Sequence, residues 1–167
     1  MSDGVAAQTS LDADALADLL RHDPCEAVAC VREAAKCGDV GAQSLYAQML
    51  AEGRGVARDP REALHWFALA ANCGHAAAMN MVGRCYELGN GTSVDHSLAA
   101  AWYRRAAECG SVWGMYNFAN LLATGRGVRA DLATAFAWYR RAAERGHAKS
   151  MNLVGRCYEE GLGVEAD

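Results

Sequence analysis

The chain has 167 residues, 52% of them apolar, and 16 basic against 20 acidic side chains give it a net charge of −4. That length holds one or two ordinary domains or one continuous stack of repeats, and the mildly acidic balance excludes the basic footprint that nucleic acid or anionic lipid requires. No apolar run approaches the roughly 20 residues that span a bilayer, so no membrane insertion is expected.

The N-terminus, Met1-Ser2-Asp3-Gly4, lacks the basic stretch and following apolar run of a secretion signal. Residues 1–10 are expected to be a disordered tail. Leu11 to His22 is apolar at Leu11, Ala15, Leu16, Leu19 and Leu20, and reads as a shortened helix that runs into a second helix opened by Asp23-Pro24. Residues 11–38 are therefore expected to form a capping helix pair. The seven cysteines are an odd number, which in a chain without a leader points to reduced thiols in a cytoplasmic protein. A leader removed beforehand would instead place the chain in the periplasm or outside the cell. The plain reading of the thiols is that they are small buried hydrophobes.

From Asp23 onward a 36-residue ruler fits the chain. Aspartates recur at Asp23, Asp59, Asp95, Asp131 and Asp167, and glycines at Gly38, Gly74, Gly110 and Gly146. A second glycine pair recurs as Gly53/Gly55, Gly89/Gly91, Gly125/Gly127 and Gly161/Gly163, and an aromatic pair as Trp66-Phe67, Trp102-Tyr103 and Trp138-Tyr139. Four units follow: 39–74, 75–110, 111–146, and 147–167, the last with only its first helix and loop. Each unit reads as a helix A and a helix B. In the second unit helix A covers roughly Ala76 to Leu88 and stops at Gly89, a residue suited to a left-handed cap. Asp95 then opens helix B by accepting hydrogen bonds from first-turn N–H groups. Pro24 and Pro60 sit at the first helical position, where a missing N–H costs nothing.

In helix B, Ala99, Trp102, Tyr103, Ala106 and Ala107 form one apolar stripe. The Ala-Ala pair near the end of each B helix is expected to meet Ala47, Gly83, Ala119 and Gly155 of the A helices at close range. Val56, Val128 and Val164 are expected to plug each A-to-B loop into the core. Thr92 and Ser93 follow Gly91 instead, so the loop of the second unit should pack more loosely.

These residues resemble the Sel-1-like repeat, a relative of the tetratricopeptide repeat. The resemblance is carried by Val154-Gly155, Tyr158, Gly161, Gly163-Val164 and Asp167, and by Ala135, Trp138-Tyr139, Ala142-Ala143 and Gly146. It covers roughly residues 23 to 167; Leu50 and Leu122 depart from it by replacing the helix A tyrosine. The resemblance implies an all-α solenoid, a right-handed superhelix of about nine helices with the A helices lining the concave face. Some secreted members of the wider family staple helices with paired cysteines, but that pairing does not fit the spacings here.

By helical phase the outward A-helix positions are Ser44, Gln48 and Ala51, then Asn80, Arg84 and Glu87, then Tyr116, Asn120 and Ala123, then Asn152, Arg156 and Glu159. Trp113, Asn117 and Lys149 flank that stripe. Asn side chains suit a peptide backbone, Arg84 and Arg156 suit carboxylates, and Trp113 and Tyr116 are anchors of the kind that dominate interfaces. Against this, Arg84–Glu87 and Arg156–Glu159 are spaced to pair with each other, and Trp113 fits ordinary core filling.

No nucleophile–base arrangement and no phosphate-loop sequence stands out, so no enzyme and no cofactor is expected. The cysteines lack the spacing of a zinc site. His75 and His147 share the turn position held by Asp39 and Ser111 in the other units, which marks them as structural. The expected function is a non-enzymatic scaffold holding a protein or peptide in its groove. The alternative is a regulatory or structural subunit of an enzyme, envelope or signalling complex, with an enzyme or metal-binding protein as the third reading and self-association through an open C-terminal end as a further option.

Overall fold

Among the described residues (18, 19 and 21–161 of this computed structural model) the chain forms eight α-helices of 13 residues each and no strand. They are α1 (Pro24–Lys36), α2 (Val40–Glu52), α3 (Pro60–Asn72), α4 (Ala76–Leu88), α5 (His96–Glu108), α6 (Val112–Thr124), α7 (Leu132–Glu144) and α8 (Ala148–Glu160). Even-numbered helices are the A helices of the repeat and odd-numbered ones the B helices. Each helix packs on its successor, and α4 also touches α6, so the chain is an α-α solenoid. Asp18, Leu19, Arg21 and His22 are helical. The rest of the expected first helix, the tail and the segment from residue 162, including Val164, lie outside the described residues.

The recurring residues act as the local chemistry predicts. The carboxylates of Asp23, Asp59, Asp95 and Asp131 accept first-turn N–H bonds, from Glu26, from Arg61 and Glu62, from Ser97 and Leu98, and from Thr134 respectively. Asp39, His75, Ser111 and His147 do the same for the A helices. Gly53, Gly89, Gly125 and Gly161 end those helices in the left-handed region. The N–H groups of Asp59, Asp95 and Asp131 donate back to the carbonyls of Leu50, Tyr86 and Leu122. One aspartate thus closes the A-to-B loop and caps the next helix.

The second loop glycine does more than punctuate. A methyl group on Gly55, Gly91 or Gly127, all at positive φ, would strike the backbone of Pro24, Pro60 or His96, the first residue of the preceding unit's B helix. Only glycine lets the loop of one unit lie against the helix start of the unit before it. The close approach expected at the Ala-Ala pairs also differs in detail. Gly83 makes room for the ring of Tyr103, where an added methyl would lie 2.6 Å from Cδ1. Gly114, on the A helix of the following unit, also lies close to Ala106, where an added methyl would come 2.7 Å from the Ala106 Cβ.

The core runs as a spine between the helix rows. Val31, Tyr46, Leu50, Phe67, Met79 and Val82 fill its first half, and Tyr103, Phe118, Leu121 and Tyr139 fill its second. Val56 and Val128 pack against it, and Thr92, at the matching position of the second loop, is half-buried as well. The thiols correct an expectation: only Cys85 and Cys157 are buried, and the other five are exposed and free. Cys37, Cys73 and Cys109 hold the C-cap position of the B helices, outside the apolar stripe.

Candidate protein-binding surface

The A-helix stripe divides into residues held by the fold and residues left for a ligand. Asn80 is buried, and its Oδ1 accepts from Asn117 Nδ2 at 2.8 Å, joining α4 to α6. Asn120 Oδ1 accepts the hydroxyl of Tyr139 at 2.6 Å. Burial raises the Tyr139 pKa to about 12, with help from neighbouring Tyr116 and Cys157, so the phenol remains a donor. Glu87 accepts the hydroxyl of Tyr103 at 2.7 Å and pairs with Arg126 at 3.6 Å. Burial, then the bond to Glu87, pushes the Tyr103 phenol well above its ordinary pKa. Asn80, Asn117, Asn120 and Glu87 therefore tie helices together. Neither expected arginine–glutamate pairing within the stripe forms. Glu87 turns to Tyr103 and Arg126, and Arg156 reaches Glu160 at 3.2 Å instead of Glu159.

What remains outward is distinct. Trp113 is 54% exposed, so it is not core filling. Its ring meets His147 edge-on at a centroid distance of 4.6 Å and Tyr116 at 6.4 Å, and Tyr116 also leans on His147 at 4.7 Å. The indole is thus propped upright by two rings from α6 and the start of α8. Lys149, Asn152 and Glu159 are exposed on α8, and exposed Arg84 on α4 lies 3.9 Å from the sulfur of Met81 with no ion-pair partner among the described residues.

Two clefts flank the stack at opposite edges. One of about 210 Å³ lies where the A-to-B loops are, between α2, α3 and α4, with Phe67, Met81 and Cys85 in its floor and Arg58, Arg84 and Asn90 around it. The other, about 490 Å³, lies among the B-to-A turns, with Met115 and Trp138 below and Glu108, Arg141, Glu144 and Arg145 around it. Arg141 covers the Trp138 ring at 4.9 Å, as Arg105 covers Trp102 at 4.5 Å. Sequence phase alone did not point to either cleft, because each is built from three helices. Among the described residues no three His, Cys, Asp or Glu side chains converge as metal ligands, and no helix is long and apolar enough to cross a membrane.

The His147–Ser150 contact, 2.8 Å from Nδ1 to Oγ, has the elements of a nucleophile and base. However, Ser150 is fully buried and its own N–H also donates to Nδ1, so the pair is a helix cap.

Comparison with known proteins matches this architecture. The Sel1 repeat profile fits residues 40–75, 76–111, 114–147 and 148–167. A solved Sel1 repeat protein from Oxalobacter formigenes is 36% identical with a TM-score of 0.80, over 87% of this chain and 42% of that one. The protective antigen c5321 of uropathogenic Escherichia coli, described as displaying an SLR fold, is 34% identical with a TM-score of 0.83, over 86% of this chain and 31% of that one. The chain thus spans less than half of either relative. Helicobacter pylori cysteine rich protein B shares the fold at 17% identity and a TM-score of 0.62, over 74% of this chain and 93% of that one. No curated protein sequence matches. With four consecutive profile matches over most of its length, on helices whose caps and loops repeat every 36 residues, the chain belongs to the Sel1 repeat family.

Proposed function

We propose that the chain is a non-enzymatic interaction module that holds a protein or peptide partner against its A helices, with Trp113 as the central anchor. The observation that carries this reading is the exposed indole of Trp113, propped edge-on by His147 and Tyr116. A large aromatic side chain held exposed on a rigid support is the kind of residue that dominates interface energies when a partner covers it. Lys149 and Asn152 lie exposed on the neighbouring helix and supply the polar rim that an anchor of this kind needs. Repeat stacks present this sort of extended surface because each unit adds one more helix to it.

The test is site-specific photocrosslinking in the native cell, with a benzophenone amino acid at position 113 and, as control, at Arg104, which is exposed on the B helix α5. A discrete crosslinked partner at 113 that is absent at 104 is the expected result. Equal labelling at both positions, or none at 113, removes the proposal.

A further inference from the structure

The cleft between α2, α3 and α4 has a counterpart one unit along, between α4, α5 and α6, and the two are filled differently. In the second unit the space holds the carboxylate of Glu87, which takes the Tyr103 hydroxyl at 2.7 Å and Arg126 at 3.6 Å. Asn120, on the next A helix, holds the stripe position one unit after Arg84. In the first unit the positions 36 residues earlier are Ala51, Phe67, Asn90 and Arg84. The acid has become alanine and the phenol has lost its hydroxyl. The arginine and the asparagine are both kept, with their places exchanged: Asn120 and Arg126 in one unit, Arg84 and Asn90 in the other. What is left is the cleft of about 210 Å³. The third unit also has alanine here, Ala123, but there the Tyr139 hydroxyl reaches Asn120 and closes the gap from the other side. Of the three units described in full, the first lacks both fillers.

We infer that this cleft is a carboxylate-binding pocket that takes a glutamate side chain from a partner peptide, in the place Glu87 occupies one unit on. The floor of Phe67, Met81 and Cys85 suits the two methylene groups. The rim supplies donors. Arg84 has no carboxylate partner among the described residues; its guanidinium lies 3.9 Å from the Met81 sulfur. Arg58 donates Nε to the Ala51 carbonyl at 3.0 Å, which holds it at the cleft beside the position Glu87 matches. Asn90 completes the set. Glu52, the one acid at the rim, is held by the amide of Gln48 at 2.8 Å, so two guanidinium groups face one occupied carboxylate. That excess of positive charge favours an acidic occupant over a neutral or basic one.

This inference rests on the proposed binding of a peptide along the A helices, since Gln48, Ala51 and Arg84 belong to that stripe. It is tested with a phage-displayed library of 12-residue peptides panned against the full chain. Selected peptides are then resynthesised with both ends capped, and their affinities are measured by fluorescence anisotropy. Selected peptides should share a glutamate, and replacing it with glutamine should weaken binding about tenfold, the scale of one charge-assisted hydrogen bond. Arg84→Ala should weaken the glutamate peptide by a similar factor and the glutamine peptide by less, removing most of the glutamate preference. Ala51→Glu should fill the pocket from within, melt no lower than the wild type, and likewise abolish the glutamate preference. Peptides that bind without any acidic preference, or a preference that survives both substitutions, overturn the pocket while leaving peptide binding in place. A chain that retains no peptide at all overturns both.

Discussion

His147 shows how much one repeat position can carry. Its Nδ1 accepts the Ser150 N–H at 3.3 Å, its ring is buried, and Trp113 and Tyr116 rest against it. Burial first, and then the charge of Lys149, hold its pKa below the ordinary histidine value. Protonation would remove the Nδ1 lone pair and open the cap. The folded state therefore binds this proton less readily than the unfolded chain does. The stability it contributes is complete above the unfolded value of about 6.5 and is lost as the pH falls through the lower folded value. The melting temperature should drop between pH 7.5 and 5, and the drop should be smaller in His147→Asn, because asparagine caps a helix without titrating there. Identical pH slopes for the two proteins would refute the assignment. The loop glycines allow a second comparison at the same scale. Gly127 and Gly146 both have positive φ, but a methyl on Gly127 meets the His96 backbone and one on Gly146 meets nothing within 4 Å. Changing either to alanine should cost about 1–2 kcal/mol for the left-handed backbone. Gly127→Ala should cost a further 1–3 kcal/mol or so for the overlap. Urea unfolding that gave equal losses would mean that the loop yields freely.

Between elements, the contacts that matter are the ones periodicity does not specify. The helix limits were legible because their causes are local: Asp95 caps α5, Gly89 ends α4, and Pro60 starts α3 wherever the rest of the chain lies. The outward stripe was legible as a phase, but its chemistry was not. Asn80 finds Asn117 on the next A helix, Asn120 finds Tyr139, and Glu87 finds both Tyr103 and Arg126. Residues at equivalent positions differ from unit to unit, so each of these bonds depends on a particular pair meeting in space. The same blind spot hid the clefts and left the exposure of five cysteines unforeseen. The Tyr103–Glu87 bond gives a direct test of how such pairs work. Tyr103→Phe should cost about 1–2 kcal/mol by leaving a partly buried carboxylate one donor short. Adding Glu87→Ala recreates the Phe67–Ala51 combination of the first unit. The double variant should then be more stable than the sum of the single losses by about 1 kcal/mol in a denaturation cycle. Strict additivity would show that the hydrogen bond contributes nothing.

Across the whole molecule, stability should be graded rather than uniform, because each helix leans almost entirely on its sequence neighbours. The α4–α6 region has more than this minimum: α4 touches α6 directly, Asn117 bonds Asn80, and Arg126 reaches back to Glu87. At the other extreme, among the described residues, the main helix packing of α8 is against α7, with its His147 cap touching α6. Met79, Asn80 and Gly83 are buried on α4, whereas the matching Met151, Asn152 and Gly155 on α8 are exposed. The two helices share the run Val-Gly-Arg-Cys-Tyr-Glu and have the same kind of histidine cap, so intrinsic helix propensity barely separates them. Any difference in their opening must come from packing. Native-state hydrogen exchange should therefore give Val82 and Cys85 a clearly higher opening free energy than Val154 and Cys157, with intermediate values through α7. If the paired amides exchanged at one common free energy, the stack would be opening as a single unit, and the nearest-neighbour account of its stability would have to be abandoned. A graded result would place the Trp113 surface at the boundary between the two regimes, since the indole stands on well-anchored α6 while the His147 ring that props it caps α8. Binding at Trp113 should then raise protection in α8 more than in α4, because a ligand stabilises most where opening would disrupt its site.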